Sequence, residues 1–147
     1  VLLTGELASV TRRLAAPAGP ATNHTERRIM AVNTWVVVAD GSRARIFETP
    51  GLKLDLREIE DIVNVVAGGQ ALSEKDREKF AKTVADYIEQ GRLHQRYQRL
   101  RLAVEPKFLG MLRARLSEET RRLIFEEIDE DLSTLDAHAI QAHLQRH

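Results

Sequence analysis

The sequence predicts an α/β domain: a mixed sheet of about five strands with helices on its faces, in the order β-β-β-α-β-α-β-α. Three observations carry that expectation. Trp35–Asp40 is a near-continuous apolar run rich in β-branched residues, the pattern of a strand covered on both faces. Gly41-Ser42 then forms a two-residue turn, so Arg43–Glu48 returns beside the first strand as its hairpin partner. Beyond residue 73, apolar stripes at helical spacing alternate with short apolar runs, which supplies the helices a doubly covered strand requires.

The elements follow in order. With a two-residue loop, Asp40 lies opposite Arg43 and Val38 opposite Arg45. Alternation then places Asp40, Arg43 and Arg45 on one face, with Val37, Ala39, Ala44 and Ile46 on the other. Pro50-Gly51 marks a turn. Leu54–Val63 reads as a third strand in which Ile59 and Ile62 break phase, the mark of a bulge or an early end. Paired glycines make Val65–Gln70 a loop. Ser73 with Asp76 forms a capping box worth ~1 kcal/mol over an alanine cap. Phe80, Ala81, Val84, Ala85 and Ile88 are the buried stripe of the helix it opens, and Gly91 stands where a helix C-terminus favours positive φ. Arg99–Val104 is the next strand, parallel to the first through a right-handed crossover. Pro106 starts a helix with the stripe Phe108, Leu109, Leu112 and Leu116, and Ser117 caps a further turn. Leu123–Leu132 reads as the last strand, and Thr134 or Asp136 opens a terminal helix carrying Leu135, Ile140 and Leu144.

Composition sets the bounds. A chain of 147 residues with 43% apolar and 30% charged residues has the material for one globular core, not for a disordered or fibrous protein. Its formal net charge is zero, so attraction to nucleic acid or membrane would need a local patch. The absence of cysteine excludes disulfides, thiolate catalysis and cysteine-ligated zinc. No apolar stretch approaches the ~20 residues needed to insert across a bilayer. Residues 1–29, with Pro17 and Pro20 in an Ala/Gly/Thr-rich run, read as a disordered extension or a non-native upstream segment. The alternative is a basic tether through Arg12, Arg13, Arg27 and Arg28. The domain is then 30–147, and the simplest compartment is the cytoplasm.

The blocks VVVADGSRARIFE at 36–48, EKFAKTVADYI at 78–88, EPKFLGMLR at 105–113 and EIDEDLS at 127–133 resemble, in the same order, those of the bacterial host-attachment protein family. The resemblance covers Met30–Leu144 and supports Met30 as the natural start. It implies a ribonuclease-H-like fold related to the central domain of eukaryotic and archaeal peptide-chain release factors. Family members usually carry a longer segment before the long helix; here only Asn64–Leu72 spans that gap.

Gly68-Gly69-Gln70 is similar to the Gly-Gly-Gln of release-factor central domains. There, two glycines admit backbone to the peptidyl-tRNA ester, and the glutamine region positions water. The other reading is a plain turn; no residue is assigned as catalytic, and Gln70 is the candidate on this loop. Asp40, Arg43 and Arg45 are a binding constellation or a cross-strand ion pair. Arg92, His94, Arg96, Arg99 and Arg101, with Tyr97 among them, would suit phosphates and one stacked base, unless Glu126, Glu127, Asp129, Glu130 and Asp131 neutralise them. Asp40 and Glu105 end neighbouring strands, with Glu78 in reach, which invites a two-metal nuclease by analogy of fold. His138, His143 and His147 include an i,i+4 pair, but no third zinc ligand is indicated. The expected function is a non-enzymatic, cofactor-free and metal-free binding module with a ribosome or tRNA role and an indirect effect on attachment. A metal-dependent nuclease or hydrolase and a protein–protein adaptor are the alternatives.

Overall fold

The computed structural model describes residues 32–51, 54–65 and 71–146. Its elements are β1 (Asn33–Asp40), β2 (Arg43–Pro50), β3 (Arg57–Val63), α1 (Glu74–Leu93), β4 (Arg99–Val104), α2 (Pro106–Arg115), α3 (Glu118–Arg121), β5 (Ile124–Ile128) and α4 (Ala137–Gln145). They form one five-stranded sheet in the order β3-β2-β1-β4-β5. β1 pairs antiparallel with β2 and parallel with β4, and β5 runs parallel to β4. The hairpin register is the expected one, with Asp40 opposite Arg43 and Val38 opposite Arg45.

Alternation along β1 feeds two cores. Trp35, Val37 and Ala39 join Phe80, Val84 and Ile88 of α1 and Phe108 and Leu112 of α2. Val36 and Val38 face the opposite way, onto Phe47, Leu132 and the α4 residues Ile140 and Leu144. Trp35 through Ala39 are wholly buried, and each large side chain so covered contributes roughly 1.5–3 kcal/mol. Two helices thus cover one face and the short α4 the other, the three-layer arrangement expected.

The helix starts are written locally. Ser73 Oγ accepts from Asp76 N (3.1 Å) while Asp76 Oδ2 accepts from Ser73 N (3.0 Å), completing the capping box. Glu105, Ser117 and Asp136 cap α2, α3 and α4, so Asp136 rather than Thr134 opens the last helix.

Strand ends and one glycine differ from expectation. β3 begins at Arg57 because side chains take the preceding amides: Asp55 N donates to Thr49 Oγ1 and Leu56 N to Gln141 Oε1. The irregularity expected here is present: Ile46 pairs with Glu60 and Phe47 with Glu58, so Ile59 is the extra residue of a bulge on β3. β5 stops at Ile128, and the chain then turns to bury Leu132 and Ser133 against the second face. α1 runs past Gly91 to Leu93, and the positive φ falls on Gln95 (57°). Gly91 is needed for another reason. A Cβ there would lie 2.5 Å from Trp35 Cη2 and 3.0 Å from Tyr97 Cε1.

Candidate functional site

In an open α/β sheet the usual ligand crevice lies at the carboxyl ends of parallel strands where the chain connections diverge. Here that point is between β1 and β4. A crevice of about 220 Å³ opens there, lined by Asp40, Gly41, Ser42, Leu72, Arg77, Glu105 and Asp131. Asp40 and Glu105 do meet in it, as the topology suggested.

Their oxygens are already engaged within the fold. Asp40 Oδ1 accepts from Ser42 N (2.8 Å), Ser42 Oγ (2.7 Å) and Arg43 N (2.9 Å), and Oδ2 accepts from Ser133 Oγ (3.0 Å). Burial pushes this carboxyl up, but the Ser42, Ser133 and Arg43 donors outweigh it and hold its pKa below the ordinary carboxylate value. Glu105 Oε2 accepts from Lys107 N (2.6 Å) as the α2 cap, and Asp131 Oδ1 accepts from Ser133 N (3.0 Å). Glu78 lies 3.9 Å from Arg115 in an ion pair and is not part of the crevice lining. Among the described residues no three His, Asp or Glu side chains group as a metal site.

The hairpin arginines serve the scaffold. Arg43 pairs with Asp61 of β3 through Nε (2.9 Å) and a second nitrogen (2.6 Å), so the cross-strand partner expected at Asp40 is replaced by one on the next strand. Asp40 meets the Arg43 backbone instead. Arg45 is 7% exposed, pairs with Glu58 at 2.9 Å and donates to the carbonyls of Ser133 and Leu135. It thereby ties the segment before α4 to the sheet. Gly68, Gly69 and Gln70 lie outside the described residues; Leu72, two positions on in the chain, lines the crevice.

The basic stretch is divided by the fold. Arg92 donates to Thr120 Oγ1 (2.8 Å) and pairs with Glu89. Tyr97 is buried, stacks on Trp35 at 4.7 Å and donates its hydroxyl to Ile88 O (2.8 Å), so it offers no ring to a ligand. Arg101 is 8% exposed; its Nε sits 2.5 Å from Glu126 Oε1 and another nitrogen donates to Leu144 O (3.1 Å). Arg96 lies over the Trp35 ring, 5.1 Å from its centroid.

The exposed ring is Phe125, on the neighbouring strand. It is 47% exposed, and the Arg99 guanidinium lies 4.1 Å from its centroid. Phe125 lines two clefts. One, of about 150 Å³, is also lined by Thr34, Val36, Thr49, Arg99 and Arg101; the other, of about 330 Å³, by Arg113, Arg121, Glu126 and Glu127.

The acidic residues after Phe125 neutralise only part of this patch. Glu126 takes Arg101, Glu127 takes Arg113 at 3.2 Å, and Glu130 faces His143 at 3.1 Å. Arg96, Arg99 and Arg121 keep no ion pair among the described residues. The signal for Phe125 available in the sequence was an aromatic residue amid the last strand's acidic ones; that this strand lies beside Arg99 and Arg101 is shown by the sheet pairing.

Residues 65–144 match the model of a family described as "Protein required for attachment to host cells". No curated protein matches the chain. Among solved structures, an archaeal protein is similar over 83% of this chain and 38% of its own, with TM-score 0.52 and 12% identity. Dom34 of S. cerevisiae, a translation termination-like factor involved in RNA quality control pathways and interacting with Hbs1, is similar over 84% of this chain and 38% of its own, with TM-score 0.51 and 13% identity. The chain therefore spans well under half the length of either protein, and the likeness is one of fold: a mixed five-stranded α/β domain. No described helix is long and apolar enough to cross a membrane.

Proposed function

Because the chain belongs to the family of proteins required for attachment to host cells, we propose that it does so indirectly, as a non-enzymatic RNA-contacting module acting on the ribosome or tRNA. One observation carries this reading. In a chain of zero net charge, Arg99 lies over the half-exposed ring of Phe125 without a carboxylate partner among the described residues, with Arg121 lining the adjoining cleft. A cation and a π-face exposed side by side suit a phosphodiester and a base. The carboxyl-end crevice is the weaker candidate, since its carboxylates are engaged by backbone amides and serine hydroxyls.

The fold likeness to Dom34 supports translation as the setting. Gly68-Gly69-Gln70 fits the same setting as a backbone-access loop, and Gly69→Ala would weaken ribosome binding at unchanged melting temperature if that loop makes contact.

Sedimentation of the full chain with ribosomes at two salt concentrations is the test. The protein should pellet with ribosomes at low salt and release as salt rises, as phosphate contacts require. Folded protein that stays in the supernatant at low salt would overturn the reading. Metal-dependent cleavage of RNA that is lost in Asp40→Asn would favour the nuclease instead, and salt-insensitive capture of a protein would favour the adaptor.

A further inference from the structure

We propose that the smaller cleft beside Phe125 receives one unpaired base of a single-stranded RNA, a reading that rests on the RNA-contacting role above and narrows its ligand. The argument begins with size. At about 150 Å³ the cleft matches the volume that holds a single six-membered ring, and it is too small for a stacked base pair. A base held in a duplex presents its paired partner with it and does not fit; an extruded or single-stranded base does.

The walls then suit a base face and a base edge separately. Phe125 with Arg99 over it at 4.1 Å gives a flat π and cationic wall. Val36 adds an apolar wall, and Thr34 and Thr49, both buried, line the cleft beside it, with Thr49 Oγ1 already accepting from Asp55 N. Arg101 borders the cleft with its guanidinium already held by Glu126 and Leu144 O, so its position is set before any ligand arrives. Because Phe125 also lines the larger cleft containing Arg121, a strand whose base enters on one side of the ring can lay its next phosphate toward the other. Arg99 and Arg121 therefore border two clefts that share the Phe125 ring. This site lies on the sheet's second face, near the amino-terminal ends of β1 and β4, away from the crevice that topology alone would nominate.

The test uses the full chain and three labelled probes followed by fluorescence anisotropy: an oligouridylate about eight nucleotides long, an abasic ribose-phosphate strand of the same length, and a duplex RNA. The oligouridylate should bind about tenfold more tightly than the abasic strand. Phe125→Ala should remove that difference while leaving abasic binding unchanged, and Phe125→Trp should keep it. Arg99→Ala should weaken both. Far-UV circular dichroism melts confirm that the variants fold, which the exposure of Phe125 favours. Equal binding of oligouridylate and abasic strand, or a preference that survives Phe125→Ala, would overturn the base cleft while leaving an RNA role intact. Tighter binding of the duplex would also overturn it. Failure to bind any of the three probes at low salt would overturn the cleft together with the RNA role itself.

Discussion

Gly91→Ala and Gly110→Ala should change stability in opposite directions although both glycines lie in helices. Neither has positive φ, so alanine is allowed by the backbone at each. In a helix interior the exchange is worth up to about 1 kcal/mol in favour of alanine. At Gly110, exposed on α2, a Cβ meets nothing within 4 Å, and that gain stands alone. At Gly91 the Cβ would sit 2.5 and 2.6 Å from Trp35 ring carbons, where ordinary contact is roughly 3.5–4.0 Å, so the ring must retreat by about 1 Å. It has nowhere to go. Trp35 is wholly buried, with Tyr97 stacked at 4.7 Å and Tyr87 at 5.4 Å. Overpacking of this kind costs about 1–3 kcal/mol or more, and a rigid aromatic stack places it at the upper end. The net loss is about 2 kcal/mol, or roughly 8 °C in melting temperature for a domain of this size. Urea and thermal melts of the two variants read the contrast. A Gly91→Ala protein as stable as the parent would refute the close approach of α1 to Trp35.

The remaining predictions concern charge. Asp40, Asp61 and Glu89 all titrate below their ordinary values, so each adds stability above its unfolded pKa that is lost as pH falls through the folded one. Unfolding free energy should therefore fall between about pH 5 and pH 3. Asp40→Asn should cost about 1 kcal/mol at neutral pH and flatten part of that acid slope, as denaturant titrations across pH would record. Arg45→Met should cost about 2–4 kcal/mol, because it orphans the Ser133 and Leu135 carbonyls and leaves Glu58 without its cation; an unchanged urea midpoint would deny Arg45 its tie to the segment before α4.

What was legible in the sequence was local. A two-residue turn admits one register, so the pairing of Asp40 with Arg43 and of Val38 with Arg45 followed from residues within a few positions of each other. Capping at Ser73 and Ser117 was read the same way. The misses all involve partners distant in the chain. Gly91 carries a local signal for a helix end, yet a tryptophan on β1 decides its role. Tyr97 looked like a ligand's stacking ring because it stands among arginines, but Trp35 claims it. Arg43 chose a carboxylate on β3 over the one facing it across the turn, because the turn's own amides had occupied Asp40. Phe125 gained meaning only when β5 was laid beside Arg99. The candidate site was thus half visible: Arg99 and Arg101 could be read from the stretch after Arg92, but not Arg121, the division of the cations into paired and unpaired, or the ring between them.

The central claim, that the unpaired arginines Arg99 and Arg121 beside Phe125 hold RNA, is tested most directly by comparing two charge-matched double variants in ribosome sedimentation. Arg99 and Arg121 are changed to glutamine in one, and the exposed α1 residues Lys75 and Lys79 in the other. Two phosphate contacts to single-stranded RNA imply a loss of about sevenfold in affinity for a fourfold rise in salt. The arginine variant should lose both ribosome binding and that salt dependence, while the lysine variant keeps them. Equal loss in the two variants would show that only overall charge matters, and retention of binding by the arginine variant would contradict the account outright.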